Sequence, residues 1–88
     1  MARVTVALPR MLAEVHGRAK IEVEGSSLRE AVEALFRTAP ALRFHLSEDS
    51  GKLRTHVLCF VNDELTSDVE TRLRDGDRIA FIQAISGG

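Results

Sequence analysis

The sequence predicts an α+β fold: one main helix packed on one face of a mixed sheet of four to five strands. Three observations predict it. Two stretches near the start, RVTVAL at 3–8 and KIEVE at 20–24, alternate apolar and polar residues with the period of a strand. One stretch, GSSLREAVEALFRTAP at 25–40, places apolar residues at helical spacing. Two more apolar stretches, HVLCFVN at 56–62 and RIAFIQAI at 78–85, supply the remaining strands. A single helix covering one face of such a sheet satisfies the rule that each apolar face must find a second layer.

Each element has its own signal. In RVTVAL, Val4, Val6 and Leu8 point one way and Arg3, Thr5 and Ala7 the other. Pro9 ends that strand because proline cannot donate to a ladder. A long, irregular connection through Gly17 is expected before KIEVE, whose Ile21 and Val23 point inward, so the first two strands form an antiparallel hairpin. Ser27 and Glu30 have the spacing of a capping box, in which each side chain satisfies a backbone donor of the other residue. Leu28, Ala31, Val32, Leu35 and Ala39 form the inward stripe of the helix. Pro40 disfavours helix at Ala39 and stops it. ALRFHL predicts a short helical turn, and SEDSGKLRT a polar loop around Gly51. HVLCFVN is apolar without interruption, which predicts a strand covered on both faces or near the middle of the sheet. NDEL turns away into a short strand, and Asp75-Gly76-Asp77 signals a tight turn before the last strand.

Composition narrows the function. The chain has 88 residues, so one domain over 1–88 is expected, with room for one small core and little for an enclosed active site. The net charge of −1 carries no run of like sign, which argues against a nucleic-acid stripe or a polybasic membrane patch. Phenylalanine is the only aromatic type, so a base-stacking platform is not expected either. The single cysteine, Cys59, allows no internal disulfide and fits a reducing, cytoplasmic setting. The N-terminal stretch is too polar for a secretory signal, and nothing approaches a membrane span.

The residues that carry chemistry elsewhere read as structural here. Cys59 lies inside an apolar strand, with no neighbour in sequence to stabilise a thiolate. His16, His45 and His56 match no metal-ligand spacing, so no metal site is expected. Asp75 and Asp77 are explained by their turn, and Glu48-Asp49 by a solvated loop. No catalytic residue emerges. What remains unexplained is the end of the chain, where a strand runs into Ser86-Gly87-Gly88. Glycine packs nothing and loses the most backbone freedom when ordered, so the terminal pair is either a frayed tail or a chain end that has to be slim.

Taken together, the ββαβ start, FVNDEL at 60–65, LRDGDRIAFI at 73–82 and the terminal SGG resemble the ubiquitin-like sulfur carriers of the β-grasp fold, the MoaD/ThiS family. That family includes the small subunit of molybdopterin synthase, the thiamin sulfur carrier and the carrier of a cysteine-biosynthesis route. Many molybdopterin-type carriers have two prolines before the tail, where this chain has Gln83-Ala84. The segment GKLRTHVLCFVNDE looks closer to the cysteine-route carriers. The resemblance implies a carrier rather than an enzyme, with residues 86–88 a flexible tail. Gly88 is then the residue adenylated by an E1-like adenylyltransferase and converted to a thiocarboxylate. Gly87 and Ser86 thread the partner's channel. The carrier binds no cofactor itself; ATP is consumed by the activating partner.

The further partners implied are a sulfur donor, such as a cysteine desulfurase or rhodanese-type protein, and a larger synthase subunit that accepts the tail. Molybdopterin is the first expectation for the route, followed by cysteine or thiamin. Two alternatives share this terminus or this fold: a protein modifier joined to lysines through Gly88, and a non-covalent β-grasp interaction module. Ordering about four tail residues costs on the order of 4–8 kcal/mol of backbone entropy, so a second contact must offset it. Strand alternation places Ala7 and Ile82 on the face away from the helix, and Leu65 is positioned to join them. These three residues are the expected partner dock.

Overall fold

The computed structural model describes residues 1–50 and 53–83. The elements follow the order β1 (Arg3–Ala7), α1 (Arg10–His16), β2 (Lys20–Glu24), α2 (Leu28–Thr38), α3 (Ala41–Leu46), β3 (Val57–Val61), β4 (Glu64–Leu65) and β5 (Arg78–Gln83). The strands form one five-stranded sheet ordered β2-β1-β5-β3-β4. β1 and β5 run parallel at its centre, and the other neighbours are antiparallel.

The inward residues follow the alternation read from the sequence. Val4, Val6, Ile21, Val23, Cys59, Ile79 and Phe81 are buried, and they meet Leu28, Ala31, Leu35 and Phe36 of α2 in a single core. Phe36 adds a second edge to the helix stripe, while Val32 is only partly buried. The capping box forms with one partner shifted: the Glu30 amide donates to the Ser27 hydroxyl, but the Glu30 carboxylate accepts from the Ser26 amide, one residue before the expected one. The first helical amides find carbonyls in the segment before β5, Leu28 N–H donating to Thr71 and Arg29 N–H to Val69. Gly25, between β2 and α2, sits where no side chain fits. A Cβ there would lie 2.6 Å from the Ala31 amide nitrogen.

Two expectations are corrected. The connection between β1 and β2 is not irregular but holds α1. Pro9 stands immediately before it, and Gly17 closes it with a left-handed φ of 84°. Only Leu12 of α1 is buried, so this two-turn helix leaves no apolar periodicity to read. β3 is not covered on both faces. It lies one strand from the edge, with Val57 and Cys59 buried and Leu58 and Phe60 half-buried on the opposite face. β5 takes the centre instead. The apolar run in β3 arises because both of its faces are apolar, although the described chain covers only one.

Candidate functional site

The open face of the sheet is set by its registers. Ala7 of β1 pairs with Ala80 of β5, Ala80 with Phe60 of β3, and Phe60 with Leu65 of β4. Paired residues share a face, so these four form one row across the sheet, about 14 Å long at the usual strand spacing. The next row toward the end of β5 pairs Leu58 with Ile82. Leu65 is 62 % exposed and Ile82 48 % exposed, which leaves their apolar surfaces available to a partner.

The three expected dock residues therefore share a face, but they do not touch as a triad. Ala7 and Leu65 stand at opposite ends of one row, and Ile82 belongs to the next. Phe60 and Leu58 fill the space between them and were missed by the sequence reading. The signal for them was present: in Val57-Leu58-Cys59-Phe60-Val61, alternation alone assigns Leu58 and Phe60 to the face away from Cys59. The small side chains of Ala7 and Ala80 leave a shallow depression, with Phe60 and Lys20 among its other lining residues.

The end of the sheet away from the C-terminal end of β5 is braced by the two motifs that looked separate in sequence. Asn62 and Asp63 connect β3 to β4 with φ values of 50° and 72°, the positive pair of a tight hairpin turn. The Asn62 side chain reaches across to β5. Its amide donates to Asp77 at 2.8 Å, and its oxygen accepts from the Arg78 N–H at 2.9 Å. The other Asp77 oxygen accepts from the Arg74 N–H at 2.8 Å, and Asp75 accepts from the Arg3 N–H at 2.8 Å. V-N-D and D-G-D are thus one hydrogen-bonded brace that ties β1, β3 and β5 together.

Hydrogen bonding by Asn62 first, and by the Arg74 amide second, lowers the pKa of Asp77 below its ordinary 3.8. A depressed carboxylate favours the folded state above the unfolded pKa, and that contribution is lost as pH falls through the folded value. Asp77→Asn is accordingly expected to lower the melting temperature at pH 7 by about 4–8 °C, as for loss of about 1 kcal/mol in a domain of this size. At acid pH, once Asp77 is protonated in the folded protein as well, the gap from the parent protein should narrow. Thermal melts at both pH values check the sign.

Cys59 is buried, and burial pushes its thiol up to about 11. It stays protonated at neutral pH and is a poor nucleophile. All three histidines are exposed, and no cluster of metal-ligating side chains occurs among the described residues. No helix among them is long and apolar enough to cross a membrane. The expected roles of Ser86, Gly87 and Gly88 lie outside the described residues, as does the expected loop centre at Gly51. The last described pairing of β5 joins Gln83 to Val57.

The profile of the ThiS family matches residues 6–88. The crystal structure of SAMP1 from Haloferax volcanii superposes with a TM-score of 0.88 at 28 % identity, over 99 % of this chain and 100 % of that one. The solution structure of small archaeal modifier protein 1 from Methanosarcina acetivorans gives a TM-score of 0.86 at 26 % identity, over 100 % and 98 %. The BexX/CysO complex from Amycolatopsis orientalis contains a chain that matches with a TM-score of 0.82 at 26 % identity, over 97 % and 99 %. No curated protein matches.

Proposed function

The chain belongs to the ThiS family of ubiquitin-like sulfur carriers, and from that premise we propose that it delivers sulfur on the α-carboxyl of Gly88. The observation that carries this reading is the extent of the family match, which continues past β5 to residue 88. The chemistry needs activation. A free carboxylate repels nucleophiles and is a poor acyl donor. An E1-like enzyme lets a Gly88 carboxylate oxygen attack the α-phosphorus of ATP, and pyrophosphate leaves. Sulfide-level sulfur then attacks the carbonyl carbon of the acyl-adenylate. AMP departs with one original carboxyl oxygen and leaves a thiocarboxylate.

The carrier's own part is reach and docking. Three extended residues, Ser86 to Gly88, span about 10 Å, with no Cβ on the last two to meet a channel wall. Cys59 takes no part, since its thiol is buried and protonated. The globule is a co-substrate rather than an enzyme. Its sulfur goes to a biosynthetic synthase, with a molybdopterin route the first expectation and a cysteine or thiamin route the alternatives to it. The likeness to CysO, crystallised with BexX, supports a carrier that docks as an intact domain on a second protein. In the cell a cysteine desulfurase or rhodanese-type donor supplies the sulfur as a persulfide, whose outer sulfur attacks the adenylate and expels AMP, and a thiol reductant then cleaves the S–S bond to leave the thiocarboxylate.

Incubation with the cognate adenylating enzyme, Mg-ATP and inorganic sulfide is expected to exchange one oxygen for sulfur, a gain of about 16 Da by atomic mass. An unchanged mass in a mixture that consumes ATP counts against the reading.

The open face supplies the second contact. Ile82→Glu places a charge on the Leu58–Ile82 row, where burial against a partner would desolvate it. Binding to the adenylating enzyme should weaken by about tenfold or more, with little change in melting temperature. Unchanged affinity would remove Ala7, Leu65 and Ile82 as a dock.

A second reading has its own support. The likeness to small archaeal modifier protein 1 fits a protein modifier joined to lysines through Gly88. An isopeptide-linked ladder in cells that disappears on deletion of Gly88 is its test. A purely non-covalent module instead predicts full function without Gly87 and Gly88.

A further inference from the structure

The fold sorts charge along the axis of the sheet, although the sequence shows no charged run. One end of the sheet collects the C-terminal ends of β1 and β5 with the beginnings of β2 and β3, as the pairings Ala7–Lys20 and Val57–Gln83 show. α1 and its exit follow β1 directly at this end. α2 starts at the other end, where Ser27 bridges Arg72, and so its last turn and α3 arrive at the first. Arg54 joins α3 to the start of β3: its Nε donates to the Phe44 carbonyl at 2.9 Å, and its carbonyl accepts from the Val57 N–H.

The described cations at this end are Arg10, Arg18, Lys20, Arg37, Arg43 and Arg54, all exposed. The described carboxylates among them are Glu14, paired with Arg10, and Glu48 and Asp49 beyond α3, while Arg37 also lines a cavity with Glu22, Glu24 and Glu33. All three histidines are here as well. The far end has the opposite balance. Asp63, Glu64, Asp68, Glu70, Asp75 and Asp77 gather around the brace with Glu24 and Glu30 nearby, against Arg3, Arg29, Arg72, Arg74 and Arg78, of which Arg29 and Arg78 are engaged with Glu70 and Asp63. A protein with a net charge of −1 therefore presents a positive pole and a negative pole. Exposed apolar side chains stand among the cations of the positive pole: Met11 at 70 %, Val15 at 80 % and Phe44 at 70 %. Exposed methionine and phenylalanine beside arginine have the composition of a protein interface.

We propose that this positive pole is a docking collar around the root of β5, and that its occupant is a protein surface with an acidic rim around the channel that takes the C-terminal residues. The inference rests on the carrier reading above. The collar orients the encounter so that the C-terminal end of β5 arrives first, and Phe44 and Met11 provide apolar contact once the rims meet. Such steering acts chiefly on the association rate and weakens as salt shortens the Debye length.

The test is stopped-flow association with the cognate adenylating enzyme at about 20 mM and about 200 mM salt. The parent protein should slow about tenfold between the two. Arg18→Glu/Arg54→Glu should slow association about tenfold at low salt and flatten the salt dependence. Arg18→Glu/Lys20→Glu spares the Arg54 contact to α3 and should act alike. Glu64→Lys, at the far pole, should stay within about twofold of the parent. With enzyme in excess, both double variants should still gain about 16 Da by atomic mass. Parent-like rates and salt slopes in both double variants overturn the collar, even if sulfur is loaded. A parent protein that associates with this salt dependence but never gains the mass overturns the carrier reading and leaves the collar standing.

Discussion

Removing Gly88 alone is expected to abolish sulfur loading while leaving the melting temperature unchanged. The two halves of this outcome have separate causes. Every buried apolar residue of the described core lies between Val4 and Phe81, and the last described sheet pairing is Val57–Gln83. Trimming the chain at residue 88 removes none of that burial. The shortened chain still ends on a glycine carboxylate, now that of Gly87, so its intrinsic chemistry is the same. What changes is reach, by about 3.5 Å. Reacting atoms must approach to about 3–3.5 Å, and a misplacement of about 1 Å already costs on the order of a hundredfold in rate. A carboxyl that stops a full residue short of the α-phosphorus is therefore not adenylated. ATP–pyrophosphate exchange catalysed by the activating enzyme, with intact-mass detection, reads this directly. Loading at a comparable rate would mean that the enzyme follows a receding tail, and Gly88 would lose its assigned role.

β1, β2 and α2 were legible because each buries one face and leaves the other mostly polar. Two-residue alternation named Val4, Val6, Ile21 and Val23, and helical spacing with a capping box named Leu28, Ala31 and Leu35. α1 was illegible because it buries only Leu12, and one apolar contact has no period. β3 misled for the opposite reason. Its residues are apolar on both faces, and burial within the chain reads the same as burial reserved for a partner. The motif pairs V-N-D and D-G-D were visible as punctuation. That Asn62 bridges them depends on β3 lying beside β5, a neighbour relation that local sequence does not encode. Gly25 had no sequence rationale at all, since its reason is the closeness of Ala31 across the β2–α2 junction. The charge poles are hidden for a similar reason: cations from α1, α2, α3 and the β-strand entries meet only after folding.

Two phenylalanines one strand apart should therefore give opposite phenotypes. Phe81 is 2 % exposed on the central strand, opposite Cys59 and on the helix side of the sheet. Phe60 is half-buried on the open face, opposite Ala80. Phe81→Ala leaves a cavity between β5 and α2 that the sheet cannot close without breaking register, at a cost of about 3–5 kcal/mol. Domains of this size have a net stability of about 5–15 kcal/mol, and each kcal/mol is worth about 4–8 °C. The melting temperature should fall by about 20 °C, and loading should fail at 37 °C but recover in the cold. Phe60→Ala removes apolar surface that still touches water, at about 1 kcal/mol, and keeps the fold. Its defect should appear in affinity for the activating enzyme, about tenfold or more, and should not be rescued by cooling. Melting curves and binding isotherms on the same two variants separate the face that makes the domain from the face that meets a partner. A Phe60→Ala protein that melts early and binds normally would place the core on the wrong side of the sheet.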